Sequence, residues 1–401
     1  MPARFSFIPV SRVTTPLRFA LLVLCATGLV RGLGAASASS ASGTASALPP
    51  ELAAWLAAQP TWSASATADL SYGYKDNLLL SHLDGERSAF ARGSVSLLIL
   101  RVPTGSFDAS SYVQADGTRY FSGRTVDYDA KVWTQTELAY RLGDTFKFSL
   151  PITGYYSDQV FDVSDTEIER LVAKLKVTGG MLSPAVRWNF GPRWWIEAQA
   201  NGERKRYADE TNDARVGDGV VRLSWKPTQR IEARVIGSQR WWNFERRTQY
   251  TAAGRALAGT HLKTFEREGQ ARIEITWDQA ARWQTYTRLS RIDYRDNGTG
   301  YFNYREKKAA QELRWKNECW LVRVEGIARR IDFGVRTVGF GINPPPRIKD
   351  EYSAELRVER MLDQRWTLLA GYAWERSRSN DVFASYRVNE GLLGLRWSWE
   401  K

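Results

Sequence analysis

Trp366-Thr367-Leu368-Leu369-Ala370-Gly371-Tyr372-Ala373-Trp374 runs out, and Leu393-Gly394-Leu395-Arg396-Trp397-Ser398-Trp399 runs back. In the first run Trp366, Leu368, Ala370, Tyr372 and Trp374 are apolar, and the residues between them are small or polar except Leu369. In the second, Leu393, Leu395 and Trp397 alternate with Gly394, Arg396 and Ser398. A period of two puts one apolar face on each strand of a hairpin. Tryptophan closes that face at both ends, which suits a strand crossing a bilayer, where amphipathic rings settle at headgroup level.

The rest of the chain tests whether this unit repeats. It has 401 residues with 17 Trp, 17 Tyr and 16 Phe, only two His and two Cys, and a formal net charge of +12. Its mean hydropathy of −0.41 is that of a polar chain. After the N-terminus no stretch approaches the ~20 apolar residues of a membrane helix. A barrel reconciles polarity with a membrane, because only alternate residues of each strand meet lipid.

Residues 1–38 read as a signal peptide: Arg4, Arg12 and Arg18 precede the apolar run Phe19–Val30, and Ala36-Ser37-Ala38 follows as a small-residue cleavage site. Its removal takes four arginines and no acid, bringing the charge from +12 to +8. Cys25 leaves with it, and Cys319, alone at a strand start beside Trp320, is expected to be buried. Residues 39–61 form a Ser/Ala/Gly/Thr linker followed by a short helix, Glu51–Ala58, set off by Pro49, Pro50 and Pro60.

From Trp62 to Lys401, two-period runs alternate with two kinds of connection. Short turns recur at Pro103-Thr104-Gly105, Gly143-Asp144, Gly191-Pro192, Lys226-Pro227-Thr228, Asp278-Gln279-Ala280, Lys316-Asn317 and Asp363-Gln364. Longer polar loops lie between them at 77–87, 122–128, 160–168, 208–215, 246–264, 296–303, 334–350 and 378–386. The expected fold is therefore all-β: a transmembrane antiparallel up-and-down barrel of about 16 strands, with short periplasmic turns and longer extracellular loops. A soluble sandwich would need shorter strands with turns every 8–12 residues, against about 21 here. The last strand should pair with Ser63–Lys75 to leave no edge.

Apolar parity can be followed through Val95, Leu97 and Ile99, through Phe146, Phe148, Leu150 and Ile152, through Val221, Leu223 and Trp225, and through Ala271, Ile273, Ile275 and Trp277. One strand changes step: Leu171, Ala173, Leu175 and Val177 are odd but Val186 and Trp188 even, so a bulge at Gly179-Gly180 is expected. The strand at 283–295 alternates poorly. Girdle candidates are Trp225, Trp277, Trp366, Trp374, Trp397 and Trp399.

Charges of both signs fall on the opposite parity, since Arg or Lys on the lipid face at mid-bilayer costs about 2–4 kcal/mol. The pore-lining candidates are Lys174, Lys176, Arg222, Arg234, Arg240, Arg272, Glu274, Arg314, Arg323, Glu325, Arg357 and Arg396. A net-basic wall would attract anionic solutes; the same residues would also serve as a ladder of ion pairs stiffening the wall, with Glu232/Arg234 against Arg272/Glu274 as natural partners. Loop 246–264 carries Arg246, Arg247, Arg255, His261 and Lys263 without an acid, so it can fold inward as a constriction or face anionic polysaccharide outside. Loop 334–350 holds Pro344-Pro345-Pro346, a stiff extended piece, beside Arg347 and Lys349.

Enzymatic readings find little. His82 and His261 both fall in or beside outer loops without a second catalytic constellation; no metal-ligand spacing and no phosphate-binding glycine loop is present, so no catalytic residue, metal or cofactor is expected. The basic residues are dispersed along strands rather than gathered in a patch, which argues against nucleic acid.

The segment Ser71-Tyr72-Gly73-Tyr74-Lys75-Asp76-Asn77-Leu78 resembles the Tyr-Asp-Asn-Val/Leu opening of bacterial outer-membrane β-barrels, both porin-like ones and ones found with polysaccharide secretion. Glu375–Asp381 and Leu393–Trp399 are similar to the last hairpin of the same group, with one departure: Glu400 and Lys401 follow the terminal aromatic. The resemblance implies a Gram-negative outer membrane after signal cleavage, with the lipid bilayer, lipopolysaccharide and the outer-membrane assembly machinery as partners, and surface polysaccharide as a further candidate. It implies either a porin-like channel for hydrophilic, anionic or saccharide solutes, or a structural or binding barrel without an open pore.

Overall fold

The computed structural model describes residues 61–82, 85–101, 105–162, 172–339 and 341–400, with backbone alone at 161–162 and 172–174. They belong to one unit that begins at Pro60. The signal peptide, the linker and the Glu51–Ala58 helix lie outside the described residues.

Sixteen antiparallel strands close on themselves: β1 (Trp62–Lys75), β2 (Ser88–Arg101), β3 (Phe107–Tyr120), β4 (Tyr128–Leu142), β5 (Phe146–Asp162), β6 (Val172–Leu182, resuming at Ala185–Asn189), β7 (Trp194–Tyr207) and β8 (Ala214–Thr228) make one half. The other half is β9 (Ile231–Phe244), β10 (Lys263–Thr276), β11 (Trp283–Asp296), β12 (Tyr304–Lys316), β13 (Trp320–Thr337), β14 (Pro346–Met361), β15 (Trp366–Ser379) and β16 (Tyr386–Glu400). Each strand pairs with its sequence neighbours, and β16 pairs with β1 from Ser65↔Glu400 to Lys75↔Glu390, so no edge is left open. Across that seam Arg396 donates to both oxygens of Asp69 at 2.7 and 2.9 Å, and Asn389 takes Asp76 through its backbone N–H (2.7 Å) and its amide (2.5 Å).

The outer face is apolar. Leu70, Val95, Ile152, Val235, Ile273, Leu356 and Leu393 all lie 37 % exposed or more there, an arrangement that only lipid makes favourable. The short-turn end carries the tryptophan girdle. Trp225, Trp277, Trp366 and Trp399 are exposed on it, Trp397 shares their parity, and Trp374 sits nearer the long-loop end. Along β5–β8 the girdle rings touch in series: Phe146 on Trp188, Trp188 on Phe190, Phe190 on Trp194 and Trp194 on Trp225, with centroids 5.2–6.4 Å apart. A closed barrel with an apolar band, an aromatic girdle and long loops at one end only is the architecture of outer-membrane proteins.

Three short turns place the girdle by one device. Asp278 accepts the backbone N–H groups of Arg282 and Trp283 at 2.7 and 3.0 Å. Asn317 accepts those of Cys319 and Trp320 at 3.0 and 2.7 Å, and Asp363 those of Arg365 and Trp366 at 2.7 and 2.8 Å. In each, an Asx side chain holds the turn until a tryptophan starts the returning strand.

Three expectations need correction. The predicted bulge at Gly179-Gly180 is absent: Ile152↔Leu182 and Ser149↔Ala185 belong to one register across the interruption at Ser183-Pro184. Even residues of β6 from Lys176 to Trp188 therefore face outward. Cys319 is exposed, because it lies in the turn ahead of β13 rather than in the strand. The poor alternation of β11 has a cause: Ile292 and Tyr294 point inward because loop residues pack on them.

At the long-loop end, Glu86 ties two loops together. Its carboxylate accepts from the N–H groups of Arg124 (3.0 Å) and Thr125 (3.1 Å) and from Thr125 Oγ1 (2.6 Å). Burial alone would raise its pKa, but the Thr125 hydroxyl and the two amides together hold it below the usual glutamate range. A depressed carboxylate contributes stability that is present above its unfolded pKa and is lost as pH falls through its folded pKa. The protection factor of the Thr125 amide, its exchange relative to an unstructured amide at the same pH, should thus be high at neutral pH and fall on acidification below the usual glutamate range, and in Glu86→Gln it should be low already at pH 7. Equal protection of the variant would refute the clamp.

Candidate functional site

The lumen wall is built from the inward parity of each strand, where the charges are gathered. The register decides which of them meet. Glu232 lies opposite Glu274 and Arg234 opposite Arg272, so the cross-strand pairs expected from sequence do not form. Like faces like again two strands on: Glu312, Glu325 and Glu355 form one row over β12–β14, and Arg314, Arg323 and Arg357 the next. Directly opposed like charges repel, and the wall relieves this along each strand, where residues two apart share a face. Arg234 reaches Glu232 at 2.5 Å, Arg323 reaches Glu325 at 2.9 Å and Arg357 reaches Glu359 at 2.7 Å. Diagonal contacts add Arg323–Glu312 at 3.2 Å and Arg314–Glu312 lies within its own strand at 3.4 Å.

Several candidates are committed to structure. Arg222 shares Glu197 with Arg187, each at 2.8 Å. Arg240 bridges Asp218 (3.3 Å) and Glu266 (3.5 Å). Arg396 holds the seam and also reaches Glu359 at 3.1 Å. Two arginines are different. Arg234, Arg272 and Arg288 stand directly across from one another on β9, β10 and β11. Among the described residues Arg272 makes no ion pair, its Nε donating only to the neutral Gln270, and Arg288 has neither an ion pair nor a hydrogen bond from its guanidinium. Glu274 lies one step along from them on the same inward parity.

One part of the wall is mainly acidic. A cavity of about 510 Å³ is lined by Glu325, Glu351, Glu355, Glu375 and Glu390 against Lys75 and Arg329. Another of about 400 Å³ on the seam side mixes Asp69, Asp116 and Glu390 with Arg92, Arg357 and Arg396.

Lys176 is a correction. Directly across from Asp158 and with its ammonium 5.9 Å from the Tyr156 ring centre, it lies on the outward parity at the long-loop end of β6, where strands have left the apolar band and parity no longer sorts charge. The Lys174 side chain is outside the described residues.

Loop 246–264 packs inward, one of the two courses open to it. Leu262 and Tyr250 join Phe302 and Tyr301 of the next loop against the inward faces of Phe244, Tyr294, Tyr304, Ile331 and Phe333. Three buried arginines close over these rings: Arg247 over Phe244 and Phe302, Arg336 over Tyr301, Phe302 and Phe333, and Arg347 over Phe333, each 4.7–5.4 Å from a ring centre. Arg336 also donates to the Tyr301 carbonyl at 3.0 Å. Lys349, buried beside them, pairs with Glu351 at 2.7 Å, and Arg329 joins Glu351 to Glu306. Cations on aromatic faces are strengthened where water is excluded. The basic residues of these loops stand out in the sequence but Phe302 and Arg336 do not; the signal for them is the apolar residues on inward parity at the ends of β11 and β13. His82 and His261 are exposed, and His261 takes part through its carbonyl, which accepts from Gln249 and Asn297.

No protein-family model and no characterised protein matches the chain. Solved structures do resemble it. OccAB4 of Acinetobacter baumannii shares 9 % identity over 86 % of this chain and 99 % of its own, with a TM-score of 0.46. The anion-selective porin from Comamonas acidovorans shares 9 % over 84 % and 99 %, also at 0.46. A bacterial polysaccharide outer membrane secretin shares 9 % over 83 % and 97 %, at 0.41. At these values the likeness is of one barrel wall to another.

Proposed function

We propose that this barrel is a porin-like channel for passive diffusion of small hydrophilic solutes, with a preference for anions. The observation that carries the reading is the pair Arg272 and Arg288, opposed on adjacent strands, facing the lumen and without a carboxylate partner among the described residues. Two guanidiniums in register repel unless solvent or a passing anion lies between them, so an anion there is attracted by two cations that no carboxylate neutralises in an ion pair. In planar bilayers the protein should conduct in discrete steps, with a reversal potential in a KCl gradient that marks chloride preference. Arg272→Gln/Arg288→Gln should lower that preference about five-fold, the worth of ~1 kcal/mol of Coulomb attraction at contact in water. An unchanged reversal potential in the double variant would defeat the reading.

The aromatic and arginine packing at the outer mouth favours a second reading, a barrel without open pore whose loops 246–264 and 334–350 engage surface polysaccharide. A wild-type barrel that inserts, retains glycan and never conducts would select it. Export of saccharide through the same lumen would require passage beneath those loops. Insertion in either case is expected to depend on the outer-membrane assembly machinery.

A further inference from the structure

The lipid-facing wall is asymmetric over four consecutive strands. At the short-turn end β10–β13 present Trp277, Trp283, Trp315 and Trp320. At the long-loop end the same outward parity presents Arg267, Arg291, Arg305, Lys307 and Arg330. Lys307 lies directly across from Arg291 on one side and Arg330 on the other, and the next row alternates as Arg267, Asp293, Arg305 and Asp332. The two acids are engaged, Asp293 by Arg295 at 2.9 Å and Asp332 by Arg330 at 3.2 Å. Arg267, Arg291, Arg305 and Lys307 are exposed and form no ion pair among the described residues.

Their height fits the headgroup level. Trp283 and Arg291 are eight residues apart, about 26 Å along the strand and about 20 Å along the membrane normal at a tilt of ~40°, close to the height of an apolar band. Cations at that level are within reach of lipid phosphates, each worth about a five-fold gain in affinity, and they are concentrated on neighbouring strands only ~5 Å apart. We propose that this outward patch binds the phosphorylated sugar headgroup of a diphosphoryl glycolipid of the lipid A type in the outer leaflet, Arg291 and Lys307 taking one phosphate and Arg267 and Arg305, on either side of the Arg295-paired Asp293, meeting the second. The site lies on the opposite face of the wall from the lumen, so it stands whether or not the barrel conducts.

Native mass spectrometry of the purified barrel tests it with three probes: diphosphoryl lipid A, the same lipid stripped of both phosphates, and inorganic phosphate. The wild type should retain diphosphoryl lipid A, and Arg291→Gln/Lys307→Gln should bind it about 30-fold more weakly, the combined worth of two surface cations. Arg267→Gln/Arg305→Gln should weaken it similarly, while Arg360→Gln at the opposite rim should not. Retention unchanged in both double variants, or equal retention of the stripped lipid, would overturn the proposal. Displacement of the lipid by inorganic phosphate at equal concentration would reassign the patch to free anions and overturn it too.

Discussion

Arginine in place of Ala370 will destabilise the inserted barrel by about 2–4 kcal/mol, whereas the same replacement three residues on, at Ala373, will cost little. Both alanines lie on β15, between the tryptophans at 366 and 374. Ala370 faces outward between Val358 and Leu393, near the middle of the apolar band. A guanidinium there must be buried in hydrocarbon or snorkel past several residues. Ala373 faces the lumen directly between Glu355 and Glu390, where an added cation finds two carboxylates. Urea unfolding in lipid vesicles measures both variants against the wild type. Equal costs would mean that β15 does not separate lipid from lumen, and the placement of every other strand would fall with it.

Phe302→Ala will release the outer-mouth loops. The ring is 2 % exposed, touches Tyr250 and Tyr301, and lies beneath Arg247 at 4.9 Å and Arg336 at 5.4 Å. Removing a buried phenylalanine costs about 3–5 kcal/mol, and here the loss falls on loops rather than on the hydrogen-bonded wall. Trypsin should then cleave at Arg255 rapidly while the barrel stays folded, and single-channel conductance should rise as the constriction loosens. A loop as resistant as the wild type, with conductance unchanged, would show that Phe302 does not hold the mouth.

The barrel was legible because the bilayer enforces parity. Leu393 and Arg396 cannot trade faces without a large penalty, so the alternation survives in the chain and gives strands, turns and the closing pair. What was illegible depends on register and on loops. Glu232 and Arg234 look like partners for Arg272 and Glu274 when the strands are written side by side. Only the hairpin register shows that like meets like, because a two-residue slip preserves every apolar contact. Lys176 misled for the opposite reason: above the apolar band nothing penalises an outward lysine, and Leu175 and Val177 then read as the lipid face. Phe302 sits in a loop, where no periodicity marks a buried ring.

The seam where Asp69 meets Arg396 has a consequence for the order of assembly. Those residues are 327 positions apart in the chain, so joining them closes a loop whose entropic cost is about 5 kcal/mol, against about 3 kcal/mol for a hairpin of ~25 residues. The fifteen hairpin pairings can therefore form while β1 and β16 are still two bare edges, each able to template a foreign strand. A bidentate ion pair on those edges favours the one partner that presents the complementary charge at that depth, so the last step of folding carries its own means of telling self from neighbour.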